Sequence, residues 1–341
     1  MTVFLYIVSL LLAALMGFAV HRAGLCMVKT VAEMLSTRRA FMMATMLKAV
    51  LWVMAISMPI LLFLPEIAAP NRSYAVSFAA TAGGFLFGMG AATNGGCAFS
   101  TLGRLANGNL WMLTTLLGFC FGVAGFSIIF PMTEPGVAIM PLLFKAPKPL
   151  IGVILLLLWF YLGWELVRLW RSREKSGSWA QLFFARHYRL STGALLLGIS
   201  GGMLYALYEA WTYTNALKRQ VQSLWLPVEQ SLTINLLLFL ALFSGMLLSA
   251  WQRGSFRLRW HRSMTWPRHF IGGLFMGAGS VLIPGGNDTL ILKSLPGLSP
   301  HAMPAAFALL CGVGVTLLII RLFTGKPFKV DCTDDVCRTE N

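Results

Sequence analysis

The sequence predicts an all-α integral membrane protein, with about nine transmembrane helices plus short re-entrant helices arranged as an inverted repeat. Three observations predict it. Only 11% of the 341 residues are charged and 57% are hydrophobic, with a mean hydropathy of +0.73, whereas a soluble domain is about a quarter charged. Apolar runs of the roughly 20 residues needed to cross a bilayer recur along the chain. Glycine-rich interruptions at a fixed spacing break some of those runs.

The spans fall near 2–20, 40–64, 75–93, 110–130, 150–170, 192–209, 231–251, 270–284 and 302–322. The first, "MTVFLYIVSLLLAALMGFAV", lacks a basic start and a small-residue cleavage site, so it reads as a span and not as a removed leader.

The net charge of +15 might suggest nucleic acid, but the basic residues sit in short loops between spans and leave no soluble basic face. Loop 168–191 carries six Lys/Arg, and loop 252–269 carries five with no acid. Both are therefore cytoplasmic, because short cytoplasmic loops concentrate basic residues. Carried outward, that choice puts the N-terminus outside and the C-terminus in the cytoplasm. It leaves 20 of the 27 Lys/Arg inside, 6 outside, and Lys48 within a span.

The interruptions carry the functional signal. Gly17, Gly24 and Cys26 form one pattern, and Gly88, Gly95, Gly96 and Cys97 another, with nine positions from first glycine to cysteine in both. A third copy over 272–290 matches 83–99 once Pro284 is taken as an insertion, and there Asn287 stands where Cys97 stands. A span ending in Gly-Gly before a short polar-apolar segment reads as a broken helix. Such backbone persists at membrane depth only where protein packs it or a cavity adjoins it. The Cys26 and Cys97 breaks follow spans running inward, and the Asn287 break follows one running outward. Two halves of opposite orientation result, with a fourth break expected near "GGMLYALYEAWTYTNALKRQ". The organisation is a first repeat over 1–130, a connector with a basic loop over 131–191, an inverted second repeat over 192–323 and a cytoplasmic tail over 324–341. The simpler alternative is that the glycines only let helices pack closely.

These residues, above all "NGGCAFSTLGRLANG" around Cys97, resemble the YeeE/YedE family of bacterial inner-membrane proteins. That resemblance implies thiosulfate uptake along a path lined by three cysteines. Cys26 and Cys97 match two by motif; the third lies in a late "GCN"-type break, where this chain reads "PGGNDTLIL". A small sulfur-containing anion, thiosulfate or a relative, is the substrate so implied. The resemblance also implies short helices dipping to the centre from both sides, and a soluble sulfur carrier or sulfurtransferase as cytoplasmic partner.

Physical chemistry agrees with an anion. A helix beginning inside the membrane aims free N–H groups and a positive dipole end at the path. Gly24, Gly95, Gly96, Gly285 and Gly286 let backbone approach a ligand. Thr93, Asn94, Ser100, Thr101, Asn287 and Thr289 add neutral donors, and a thiol is a soft, weak donor suited to sulfur. Asp288 either caps the following helix or, if buried, carries a coupling proton. His21 and Arg22 either draw anions inward or serve as positive-inside charges. Lys48 is expected to snorkel to the cytoplasmic face, Glu209 needs no special role, and Cys120 and Cys311 read as packing. Cys332 and Cys337, five apart in a tail expected to be disordered, do not have the CxxC spacing of redox or zinc sites.

The leading expectation is a transporter and not an enzyme, without cofactor or metal. The chain has no G-x-x-x-x-G-K-[ST] loop, so a gradient or consumption inside must drive uptake. The alternative is a membrane thiol–disulfide protein using Cys26 and Cys97, which needs the two within disulfide range. A scaffold without transport would not need paired helix breaks.

Overall fold

The computed structural model describes residues 3–64, 73–129, 138–139, 147–174, 185, 187–208, 211–224, 232–259, 265–325, 329–333 and 336–340. Thirteen helices stand among these residues. The first half runs α1 (Val3–Ala23), the short α2 (Met27–Thr37), α3 (Phe41–Phe63), α4 (Phe78–Asn94), the short α5 (Ala98–Ala106) and α6 (Met112–Ile129). The connector is α7 (Lys148–Glu174). The second half repeats the alternation: α8 (Leu190–Leu207), the short α9 (Tyr213–Gln222), α10 (Leu232–Gln252), α11 (Trp266–Leu282), the short α12 (Asn287–Thr289, continued by a π-helical turn Leu290–Ser294) and α13 (Ala302–Thr324). Seven helices are long and apolar enough to cross a membrane, or eight if the bent pair α11/α12 counts as one span. The helix at the third expected span, α4, has 17 residues. Glu209 lies outside the described residues.

The long helices leave large apolar side chains uncovered, among them Phe4, Phe121, Phe160, Trp251, Phe307 and Leu322. A face of that kind is covered by lipid, and the polar groups are correspondingly turned inward. Between helices the contacts are close because glycines occupy the crossings. A Cβ on Gly17 would stand 2.0 Å from the carbonyl oxygen of Leu242, and one on Gly88 2.2 Å from that of Leu309. The glycine patterns therefore divide by role. Gly17 and Gly88 are packing glycines, whereas Gly24 and Gly95 take left-handed backbone (φ +63° and +74°) and end their helices.

The two halves interlock helix for helix. α6 packs on α11 and α13 on α4; α1 packs on α10 and α8 on α3. At the centre α4 meets α11: Gly83 lies against Gly279 and Leu282, Gly90 against Gly272 and Met276. Those two corresponding helices thus run antiparallel.

Two expectations are corrected. Lys48 does not snorkel alone; its ammonium lies 2.5 Å from Glu165 of α7 and 3.3 Å from the Ser191 hydroxyl, because an unpaired charge among apolar helices is costly. The tail is not structureless, since Lys329–Thr333 pairs antiparallel with Val336–Glu340, placing Cys332 opposite Cys337. The first of these strands packs against α2, and the pairing satisfies backbone groups that an isolated tail would leave to water.

Candidate functional site

Four helix breaks are present, including the one expected after the sixth span. At each of these long-to-short junctions the chain restarts from an extended cap. Cys26 caps α2 (φ −156°, ψ 125°), Cys97 caps α5 (φ −72°, ψ −179°) and Thr212 caps α9 (φ −136°, ψ 145°). Gly286 caps α12 after Gly285 has turned at φ +125°. Asn287 is thus the first residue of its helix and not the cap that Cys97 is.

The short helices meet in pairs, N-terminus to N-terminus. In the first pair the backbone N–H of Cys97 donates to the Cys26 sulfur at 3.5 Å, and both residues are 1% exposed. In the second pair Asp288 of α12 accepts from the Thr214 N–H of α9 at 3.1 Å and from the Thr214 hydroxyl, while that hydroxyl accepts from the Gly286 N–H at 3.0 Å. Asp288 therefore ties the start of its own short helix to that of the neighbouring one. Thr289 joins this cluster, 2.7 Å from the Thr212 hydroxyl. The two pairs adjoin. The Phe99 ring of α5 lies 5.7 Å from that of Tyr213 in α9, and Tyr213 is within electrostatic reach of both Cys97 and Asp288.

Asn94 holds the Cys97 break in shape. An amide offers two donors and two acceptor lone pairs, and all four are used. Nδ2 donates to the Gly96 carbonyl (3.0 Å) and the Thr101 hydroxyl (2.8 Å), and Oδ1 accepts from Thr115 (2.8 Å) and His269 Nδ1 (2.9 Å). Thr101 in turn donates to the Cys97 carbonyl at 3.1 Å, and Ser100 crowds Gly96, where a Cβ would come within 2.8 Å of its hydroxyl. Asn94 and Thr101 therefore shape the break. Asn287 differs: it is 1% exposed, and its Oδ1 has no hydrogen-bond partner among the described residues.

Basic side chains gather near the first pair of breaks. Arg104 donates to the Gly95 carbonyl and Arg268 to that of Thr93 at 2.5 Å. His21 bridges Ser249 (2.8 Å) and Asn107 (3.2 Å). Arg22 donates to Ser249, Gln252 and the Ala185 carbonyl and stacks 4.8 Å from the Phe18 ring. Those donors are engaged by protein.

Lys29 is the residue that sequence reasoning missed. It stands in the first turn of α2, half-buried, with its Nζ 3.8 Å from where a Gly24 Cβ would sit and its charge acting on Cys26. The helix dipole disfavours a cation there, and among the described residues none forms an ion pair with it. A lysine at the third position of a helix start was the available signal. Thr212 and Thr214 were missed too, although threonine ahead of a polar helical run is a start signal.

Broken helices whose short arms meet inside an apolar bundle are the construction of a membrane transporter. The chain belongs to the sulphur transport family, YeeE/YedE, whose family model matches residues 22–315. No curated protein matches the chain. It is accordingly a multi-pass membrane protein of sulfur-compound transport.

Proposed function

We propose that the protein carries thiosulfate or a related small sulfur-containing anion into the bacterial cytoplasm, through the junction of its four helix breaks, without catalysing a reaction. The contact between the Cys97 N–H and the Cys26 sulfur carries this reading. It brings two thiols and the positive ends of α2 and α5 to one point, beside the charge of Lys29. The thiols suit the soft sulfur of such an anion, and the N–H groups with Lys29 suit its oxygens.

In this reading the halves are inverted repeats, supported by the antiparallel crossing of α4 and α11. Gly24, Gly95, Gly96, Ser100, Thr101, Gly285, Gly286, Asn287, Asp288 and Thr289 surround the path, and Asn94 fixes its narrowest turn. The N-terminus faces the periplasm, and the C-terminal hairpin faces the cytoplasm, where a soluble sulfur carrier takes the anion.

Growth of a bacterium lacking its own sulfate and thiosulfate uptake, on single sulfur sources, tests the reading. Rescue on thiosulfate that Cys97→Ala abolishes is expected, and no rescue on any sulfur source by a membrane-inserted chain would overturn it. The adjacency of Cys26 and Cys97 is also what a thiol–disulfide protein needs. Two-electron transfer from the reduced Cys26/Cys97 pair to a quinone or to a soluble disulfide, lost in Cys26→Ser, would select that second reading.

A further inference from the structure

Asp288 has a feature the uptake reading leaves unused. It is 0% exposed, lies among apolar helices, and forms no ion pair with any described residue. The other buried carboxylates are accounted for: Glu165 pairs with Lys48, and Glu33 accepts the Phe41 and Met42 N–H groups at the start of α3. A carboxylate unpaired inside a membrane protein costs several kcal/mol and marks function by default.

Its surroundings form a chain of hydroxyls. Thr212 lies 2.7 Å from Thr289, Thr289 3.5 Å from Thr214, and Thr214 donates to Asp288. Each hydroxyl both donates and accepts, so the chain has the donors and acceptors a proton relay from the α8/α9 break to the carboxylate needs. Thr212, Thr214 and Thr289 are each 1% exposed, which keeps competing water out.

We propose that Asp288 carries a proton that enters with the anion, reached along Thr212, Thr289 and Thr214; this rests on the uptake reading. The titratable groups facing it are Tyr213 of α9 and, across Tyr213, Cys97 of α5. Lys293, on the turn after α12, acts on His301, and Lys48 of α3 is held by Glu165. The Thr214 N–H and hydroxyl donate to the carboxylate and favour its charged form, against the cost of burying that charge. An anion arriving at Cys97 shares the same low-dielectric interior and raises the cost of that charge, and a proton removes it. By linkage, the anion raises proton affinity and the proton raises anion affinity by one and the same factor.

Purified protein in liposomes, with radiolabelled thiosulfate and a pH-sensitive dye inside, tests this. Wild type is expected to accumulate thiosulfate when the outside is acid and to acidify the lumen when thiosulfate is added. Asp288→Asn is expected to lose both accumulation and acidification, and Thr212→Val to slow acidification. Accumulation by wild type without acidification would overturn the proposal, as would an Asp288→Asn variant that still does both. If Asp288→Asn does not fold, acidification by wild type alone decides. Failure of thiosulfate to enter under any gradient removes the uptake reading and the proton with it, whereas entry without a proton removes only the proton.

Discussion

The backbone N–H of Cys97 donates to the sulfur of Cys26, 71 positions earlier in the chain, at 3.5 Å. Each residue caps a short helix, so one hydrogen bond joins two helix N-termini and two thiols. Neither half of that contact exists without the other break.

Replacing either cysteine tests whether the contact serves transport. Cys26→Ala and Cys97→Ala are each expected to lower thiosulfate uptake about tenfold or more, roughly 1.4 kcal/mol of lost stabilisation, at unchanged membrane abundance. Uptake within about twofold of wild type would reduce the pair to packing.

Lys29 supplies charge at the start of α2, where no described residue forms an ion pair with it. Lys29→Gln is expected to raise KM about tenfold, the worth of one charge-assisted contact of roughly 1.5–3 kcal/mol, with maximal rate little changed. Lys29→Arg is expected to restore most of the affinity. Kinetics of labelled anion uptake decide, and an unchanged KM in Lys29→Gln would exclude the contact.

Asn94 is a stability position before it is a ligand contact. Asn94→Ala leaves buried groups on Gly96, Thr101, Thr115 and His269 without their partner. At about 1–3 kcal/mol for an unsatisfied buried group, a clear fall in melting temperature in detergent is expected. Wild-type melting with impaired uptake would instead make Asn94 a direct ligand.

The Lys48–Glu165 pair behaves as a buried ion pair. Glu165→Ala strands a cation among apolar helices and is expected to cost about 3–5 kcal/mol, whereas the double replacement Lys48→Met with Glu165→Leu is expected to melt near wild type. Thermal unfolding of the three proteins checks it, and an additive double variant would show that the two residues act independently.

Much of this was legible because membrane burial leaves few options. The long helices lie where apolar runs of spanning length lie, and Gly24, Gly95 and Gly285 each turn the backbone at a break with positive φ. The fourth break was the faintest in sequence because it contains no glycine turn; the helix restarts from Thr212. The partner of Lys48 was not legible, since Glu165 follows it by 117 positions and only the packing of α3 on α7 joins them. The hydrogen-bond partners of Asn94 were not legible for a similar reason. Its donors looked free in sequence, but Thr115 and His269 reach it from two other helices.

The sequence by itself determined that this chain lives in a membrane, where its helices break, and that the breaks favour an anion. Hydropathy, glycine backbone freedom and the dipole of a helix start are local properties, written in neighbouring residues. Tertiary structure alone decided which break faces which: Cys26 against Cys97, Asp288 against Thr214, Lys48 against Glu165. Those pairings depend on helices from distant parts of the chain packing at one point. The cost of a buried unpaired group selects the partner, and no local pattern records that choice.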